Sequence, residues 1–379
     1  MRSNALPDHT VSRFNGPLLG DAHRMRLAVF AFNASNGSAI TDADGHIEAT
    51  WDEQVRIARA AEDANLDALI PVARWKGYGG RINFNHRNFE TLTWAAGLAA
   101  VTDQIQVFAT THVPTIHPVR AAKQIATIDH ISGGRVGLNI VAGWNTAEMA
   151  MFGITQREHD ERYEVAEEWL HLLTRLWNES EPFDFHGKYF DAPEAYSSPK
   201  PVQQGRPVTM SAGTSSRGQR FAAEHADMIF VVEPPSGDLR GLTSRMRQTA
   251  LEFGNEVKTF LGTHVVIGDT DEDAKAYRDY YVNEKGDWEG AQAYLDAIIV
   301  GANQSLTAEE WRGMQEHAIA GAGSTPLVGS PETIASRIAE LSDAGIDGLT
   351  LSFVDYEAGI ARFREQVYPL LVQAGLRAN

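Results

Sequence analysis

The sequence contains no cysteine, which excludes disulfides, thiol nucleophiles, thiolate metal sites and iron–sulfur ligation. Basic side chains are also scarce: 33 Lys and Arg stand against 50 Asp and Glu, a net charge of −17. Nucleic-acid binders and proteins that dock on anionic membranes need basic surfaces, so both classes are set aside. No run of about 18 apolar residues occurs, and no membrane span is expected. Residues 1–24, "MRSNALPDHTVSRFNGPLLGDAHR", are polar, broken by Pro and Gly, and lack the apolar centre of a secretory signal. They read as an ordered or semi-ordered arm, and the cytoplasm is the expected compartment. Familiar catalytic signatures are missing too: there is no GxSxG elbow, no GxxxxGK[ST] loop and no HExxH. His112 and His117 stand five apart with no carboxylate at ligand spacing, so no metal site is expected.

What is present is a long alternation of apolar runs and amphipathic stretches. The 379 residues, 43% apolar, suffice for one large barrel or two smaller domains. "RLAVFAFN", "DALIPVA", "IQVFATT", "RVGLNIVAG", "PVTMSAG", "DMIFVV", "FLGTHVVIG" and "GLTLSFV" make eight strand candidates, mostly separated by helical patterns. Thr50 is a candidate N-cap for the helix "TWDEQVRIARAAEDANL", and Val165, Trp169, Leu172, Leu173 and Leu176 share one helical face. The pattern predicts an α/β fold, a (β/α)₈ TIM barrel with insertions, forming a single domain over 25–379. An open doubly wound sheet is the alternative. Residues 181–207, rich in aromatics, turn residues and prolines, read as a hairpin-like insertion. A second insertion spans 280–326 and ends in "AIAGAGSTP", where Gly321, Gly323 and Ser324 suit a mobile lid or, equally, a surface elaboration or subunit contact.

In a parallel barrel, chemistry gathers where strands end. That rule selects Thr110, Thr111 and His112 after the third strand, and Asn139 and Trp144 around the fourth. The stretch "NIVAGWN" stands out, because Asn139 interrupts an otherwise apolar strand. After the fifth strand, Gly213 is followed by Thr214, Ser215 and Ser216 at a helix start. Such a loop presents N–H groups and hydroxyls to a phosphate, or it is plain N-capping. In "HDERY", Arg162 could hold a phosphate bidentately and Tyr163 could donate its hydroxyl. Acid–base candidates are few, which fits a site where a cofactor carries the chemistry.

Read together, "KGYGG" (76–80), "GLAAVTDQIQVFAT" (97–110), "AAKQIATIDHISGGRVGLNIVAGW" (121–144), "HDERY" and "LVGSPETIASRIAELSDAGID" (327–347) resemble the bacterial-luciferase-like flavin-dependent monooxygenase family. The likeness covers about Arg26 to Leu371 and is strongest to the branch holding pyrimidine, dimethylsulfone and alkanesulfonate monooxygenases. It implies a luciferase-like barrel, reduced FMN delivered by a separate NAD(P)H:flavin reductase, dioxygen as co-substrate, and oxygenation through a flavin (hydro)peroxide. It implies FMN contacts from Ala73, Arg74, Asn139, Glu148, Arg162 and Tyr163, with Ser215 on the phosphate. Thr110 and Asn139 match the family's polar pair beside dioxygen, Trp144 an aromatic wall of the pocket, and His264 an active-site histidine of the alkanesulfonate enzymes. The two sulfonate-binding arginines of those enzymes have no match: Gly262 occupies one position and "AIAGAGSTP" carries no Arg at the other. A small neutral heterocyclic, amide or organosulfur substrate is therefore expected, and the family's habit implies a dimer or tetramer. Alternatives are oxidative cleavage of a flavin itself, hydride transfer with a deazaflavin, or flavin binding without catalysis.

Overall fold

The computed structural model describes residues 11–299 and 306–378. Eight parallel strands close into the (β/α)₈ barrel that the alternation predicts. In chain order the strands are β1 (Arg26–Phe30), β2 (Ala68–Ile70), β3 (Gln106–His112), β4 (Val136–Val141), β5 (Phe183–His186), β6 (Asp191–Ala195), β7 (Val208–Ser211), β8 (Met228–Val231), β9 (Lys258–Ile267), β10 (Thr325–Gly329) and β11 (Gly348–Ser352). All eight expected strands are present, and β5 with β6 forms an antiparallel pair inside 181–207. The unanticipated strand is β10, which pairs with the second half of the long β9, from Thr263 to Ile267. Its Pro326 cannot donate to a ladder, which is tolerable because β10 lies at the end of the sheet order.

Local chemistry sets the helix limits. Thr50 and Glu53 close a capping box at the head of the helix Trp51–Asp63. The helix Pro118–Ser132 begins on a proline and ends at Gly133, whose φ of +63° is left-handed. His117 caps it by accepting from the Val119 N–H at 3.3 Å. In the helix His159–Asn178 the five apolar residues of the predicted face are all buried, each stabilising by roughly 1.5–3 kcal/mol.

The chain divides into two compact units. One holds residues 11–20, 91–230 and 246–258, with β3, β4, β7 and β8 side by side. Residues 1–10 of the expected N-terminal arm lie outside the described residues. Val11 bonds to Val202 and Gln204, and Leu18 is buried. The β5–β6 turn docks on the helix His159–Asn178 through Glu168, whose carboxylate accepts the N–H groups of Lys188, Tyr189 and Phe190 at 2.7–2.8 Å.

The other unit holds residues 21–90, 231–245 and 259–378, with the order β10-β9-β11-β1-β2. In it, part of the insertion 280–326 joins a buried cluster. Tyr281, Val282, Ala291, Leu295, Ala318, Ile319 and Ala320 are buried against Ile40, Ala43 and Phe84. Residues 300–305 of that insertion lie outside the described residues.

A carboxylate device recurs at strand starts. Asp67, Asp227 and Asp347 immediately precede β2, β8 and β11. Each donates its N–H to the carbonyl of a residue on a neighbouring strand (Leu27, Thr209 and Thr259) and accepts that same residue's N–H on its carboxylate. Arg377 pairs with Asp67, both all but inaccessible, and also donates to the Met25 carbonyl at 3.0 Å. Burial pushes the Asp67 carboxyl up, against the pull of Arg377. Replacing Arg377 by Met strands that carboxylate and should cost about 3–5 kcal/mol. Urea unfolding measures it: a loss below about 1 kcal/mol would contradict the role, and the Asp67→Asn, Arg377→Met double variant should recover part of the loss.

Candidate active site

The parallel pairing of β3 with β4 places Thr110 directly opposite Asn139. Neither strand meets water in this stretch: Thr110 is 5% and Asn139 7% exposed. Asn139 Nδ2 donates to Thr110 Oγ1 at 3.3 Å, so the two form one neutral polar unit in an apolar wall that includes Ala109, Leu138 and Ile140. Asn139 Oδ1 is buried and has no partner among the described residues. A buried acceptor left open costs free energy, and at the carboxyl half of a barrel strand it points to a missing ligand.

Beyond β4 the chain turns sharply at Gly143, with φ +82°. A Cβ there would fall 2.9 Å from Pro114 Cγ and 3.3 Å from Met149 Sδ, so glycine is required twice over. The Gly143 carbonyl accepts from Arg162 Nη1 and from Gln156 Nε2, each at 3.0 Å. Arg162 thus spends one donor on the corner, and its buried Nε has no partner among the described residues. Asn145 caps the short helix Thr146–Met151, which carries Glu148 fully buried. Trp144, expected as a pocket wall, is 37% exposed and is the most open of the predicted site residues.

The loop after β7 has the tightness the sequence suggested. A Cβ on Gly213 would lie 2.6 Å from Gly218 Cα and 2.8 Å from the Tyr163 hydroxyl, so Tyr163 stands directly over the loop. Ser215 is the N-cap of the helix Ser216–His225, accepting from the Gly218 N–H at 3.1 Å. Its oxygen serves the helix while its proton is left to donate outward. The capping and anion readings are therefore compatible. Arg217 stands over the Tyr163 ring at 5.6 Å and is paired with Glu167.

In the other unit, Ala73 and Arg74 are buried just beyond β2. Arg74 donates to the Ala73 carbonyl and to the Tyr78 hydroxyl, with its guanidinium 5.1 Å from the Tyr78 ring centroid. Tyr78 packs edge-on against Tyr294 at 5.0 Å. His264 lies on β9, level with Ser352 at the end of β11, and is 2% exposed. Burial, with a smaller contribution from Arg278, holds its pKa down to about 3. It is therefore neutral at any ordinary pH. Gln156 and Ser352 were absent from the sequence-based set. Ser352 sits where the strand-end rule points, whereas nothing local marks Gln156.

The arrangement suits FMN. The unpartnered Asn139 Oδ1 could accept from a ring N–H, the unpartnered Arg162 Nε could donate to a ring acceptor, and the Ser215 and Tyr163 hydroxyls beside a helix start could meet a phosphate. Comparison with known proteins points the same way. The family model described as "Luciferase-like monooxygenase" matches residues 25–348. The chain is 32% identical over 355 residues to the pyrimidine monooxygenase RutA of Klebsiella pneumoniae, covering 92% of this chain and 96% of that one. The counterpart from a Bradyrhizobium species is 32% identical over 364 residues, covering 93% and 99%. Among solved structures, riboflavin lyase RcaE, with modified FMN and riboflavin, superposes with a TM-score of 0.84 at 24% identity, covering 94% of this chain and 93% of that one. DmoA from Hyphomicrobium sulfonivorans superposes with 0.82 at 23% identity, covering 94% and 89%.

The corner at Gly143 is open to a direct check. Gly143→Ala forces a left-handed alanine against Pro114 and should destabilise the protein by at least about 1–2 kcal/mol. A change under about 0.5 kcal/mol in urea unfolding would show that the corner bears no such constraint.

Proposed function

Because the chain belongs to the luciferase-like monooxygenase family, we propose that it inserts one atom of dioxygen into a small neutral organic substrate using reduced FMN. It is a flavin-dependent monooxygenase, and the observation that carries the site assignment is the buried Thr110–Asn139 pair with its open Oδ1. Bound reduced FMN supplies the electrons that activate dioxygen, one oxygen atom going to the substrate and the other to water. A separate NAD(P)H:flavin reductase supplies the reduced cofactor.

The chain's own residues bind, orient and exclude water. Ser215, Tyr163 and the start of the helix Ser216–His225 would hold the phosphate, with Arg162 and Glu148 of the same compact unit lining the approach. The Thr110–Asn139 pair is neutral and polar: its dipoles can stabilise negative charge growing on oxygen, and neither side chain can deliver an acidic proton to quench it. Ala109, Leu138 and Ile140 keep the wall dry, where each electrostatic contact is worth more than in water. The substrate is a heterocycle, amide or organosulfur compound. Support comes from relatives named for pyrimidines and from Gly262, which leaves that position of β9 without charge.

Two measurements test this reading. Ser215→Asp preserves the N-cap, since Asp caps as well as Ser, yet sets a carboxylate against the phosphate. Anaerobic titration with reduced FMN should show at least about tenfold weaker binding with stability unchanged within about 0.5 kcal/mol. Unchanged affinity would remove Ser215 from the phosphate site. Separately, Thr110→Val and Asn139→Ala should each cut product yield by about tenfold or more, while hydrogen peroxide release continues. Wild-type yields from both variants would refute the assignment of the pair.

A further inference from the structure

His264 has one ring nitrogen engaged and one idle. Nδ1 lies 3.0 Å from Ser352 Oγ. Ser352 owns a single hydroxyl proton and donates it to the Thr263 carbonyl at 2.9 Å. Its oxygen can therefore only accept from the ring, which places the ring proton on Nδ1 and leaves Nε2 with a bare lone pair. Nε2 is buried and has no partner among the described residues. Two neighbouring hydroxyls are engaged elsewhere. Tyr281, whose ring centroid is 5.9 Å away, gives its hydroxyl proton to the Ala320 carbonyl, and Thr263 gives its own to the Thr350 carbonyl. Gly321 packs against the ring without a side chain; a Cβ there would fall 2.7 Å from His264 Cβ.

We propose that Ser352 is a positioning residue that fixes His264 as its Nδ1–H tautomer, so that Nε2 accepts an N–H or O–H of the organic substrate. The tautomer stands on the hydrogen-bond relay alone, while the ligand rests on the monooxygenase reading. The consequence is a narrower substrate class. A heterocycle or amide with a ring N–H satisfies Nε2, whereas a sulfone or thioether offers only acceptors and cannot. The position agrees, because His264 is in register with the last residue of β11, the strand end where barrels bind ligands. Kept neutral by burial, the ring offers Nε2 as a hydrogen-bond acceptor that orients the substrate, with no proton removed.

Nitrogen-15 NMR of the histidine-labelled full chain with FMN added reads both halves of the proposal, with His264→Gln identifying the resonances. The expected spectrum shows a protonated Nδ1 and an unprotonated Nε2 across the pH range of the folded protein. Ser352→Ala should mix or invert the tautomer, and Ser352→Thr, which keeps a hydroxyl, should restore it. An Nε2–H tautomer in the parent, or no change in Ser352→Ala, overturns the positioning role. Uracil should shift the Nε2 resonance and dimethyl sulfone at equal concentration should not. A shift by neither, or an equal shift by both, overturns the ligand assignment. Failure of the monooxygenase reading shows elsewhere, as an inability to bind reduced FMN.

Discussion

The register between β3 and β4 is the constraint on which the site depends. Both strands are parallel and buried, so no water can satisfy a polar side chain on either. Thr110 faces Asn139 only in the observed pairing. A slip of one residue would set Thr110 against Leu138 or Ile140 and leave the amide with no protein partner. Everything downstream takes its position from that alignment. The Gly143 corner begins two residues past the strand, and Arg162 reaches back to its carbonyl. The helix carrying Arg162 also carries Tyr163 to the loop after β7. The neutral polar pair, the tight corner and the Gly213 loop lie in the same compact unit.

The two ends of the strands are built for different purposes. At the amino ends, Asp67, Asp227 and Asp347 each clasp the backbone of a neighbouring strand with both an N–H and a carboxylate. Those contacts are complete and therefore inert; their role is to hold strand starts in line. Toward the carboxyl ends, Asn139 Oδ1 and His264 Nε2 are buried with no partner among the described residues. Leaving an acceptor unmatched is costly, and proteins tolerate the cost where a ligand can meet it.

What the sequence disclosed follows the range of the interactions involved. The capping box at Thr50 and Glu53, the Pro118 start and the buried face from Val165 to Leu176 are local, and periodicity with cap chemistry exposes them. The eight barrel strands were legible because each is an apolar run between turns. The ninth, β10, was not, because "TPLVG" is short, holds a proline and is a strand only through half of β9. Thr110 and Asn139 were legible as strand-end polar residues, though their direct pairing is a fact of register. The Ser352–His264 contact spans 88 positions, and no spacing rule reaches that far. Trp144 stands more open than its place in the motif suggested, since the Gly143 turn leaves 37% of it exposed.

Dioxygen activated by reduced FMN beside the neutral Thr110–Asn139 pair should end in the organic product. The most direct test supplies oxygen-18 gas, reduced FMN and a ring N–H heterocycle such as uracil, and reads the product by mass. One heavy oxygen atom per product molecule is the expected result. Product whose added oxygen comes only from water, or turnover of reduced FMN to peroxide with no labelled product, would contradict it.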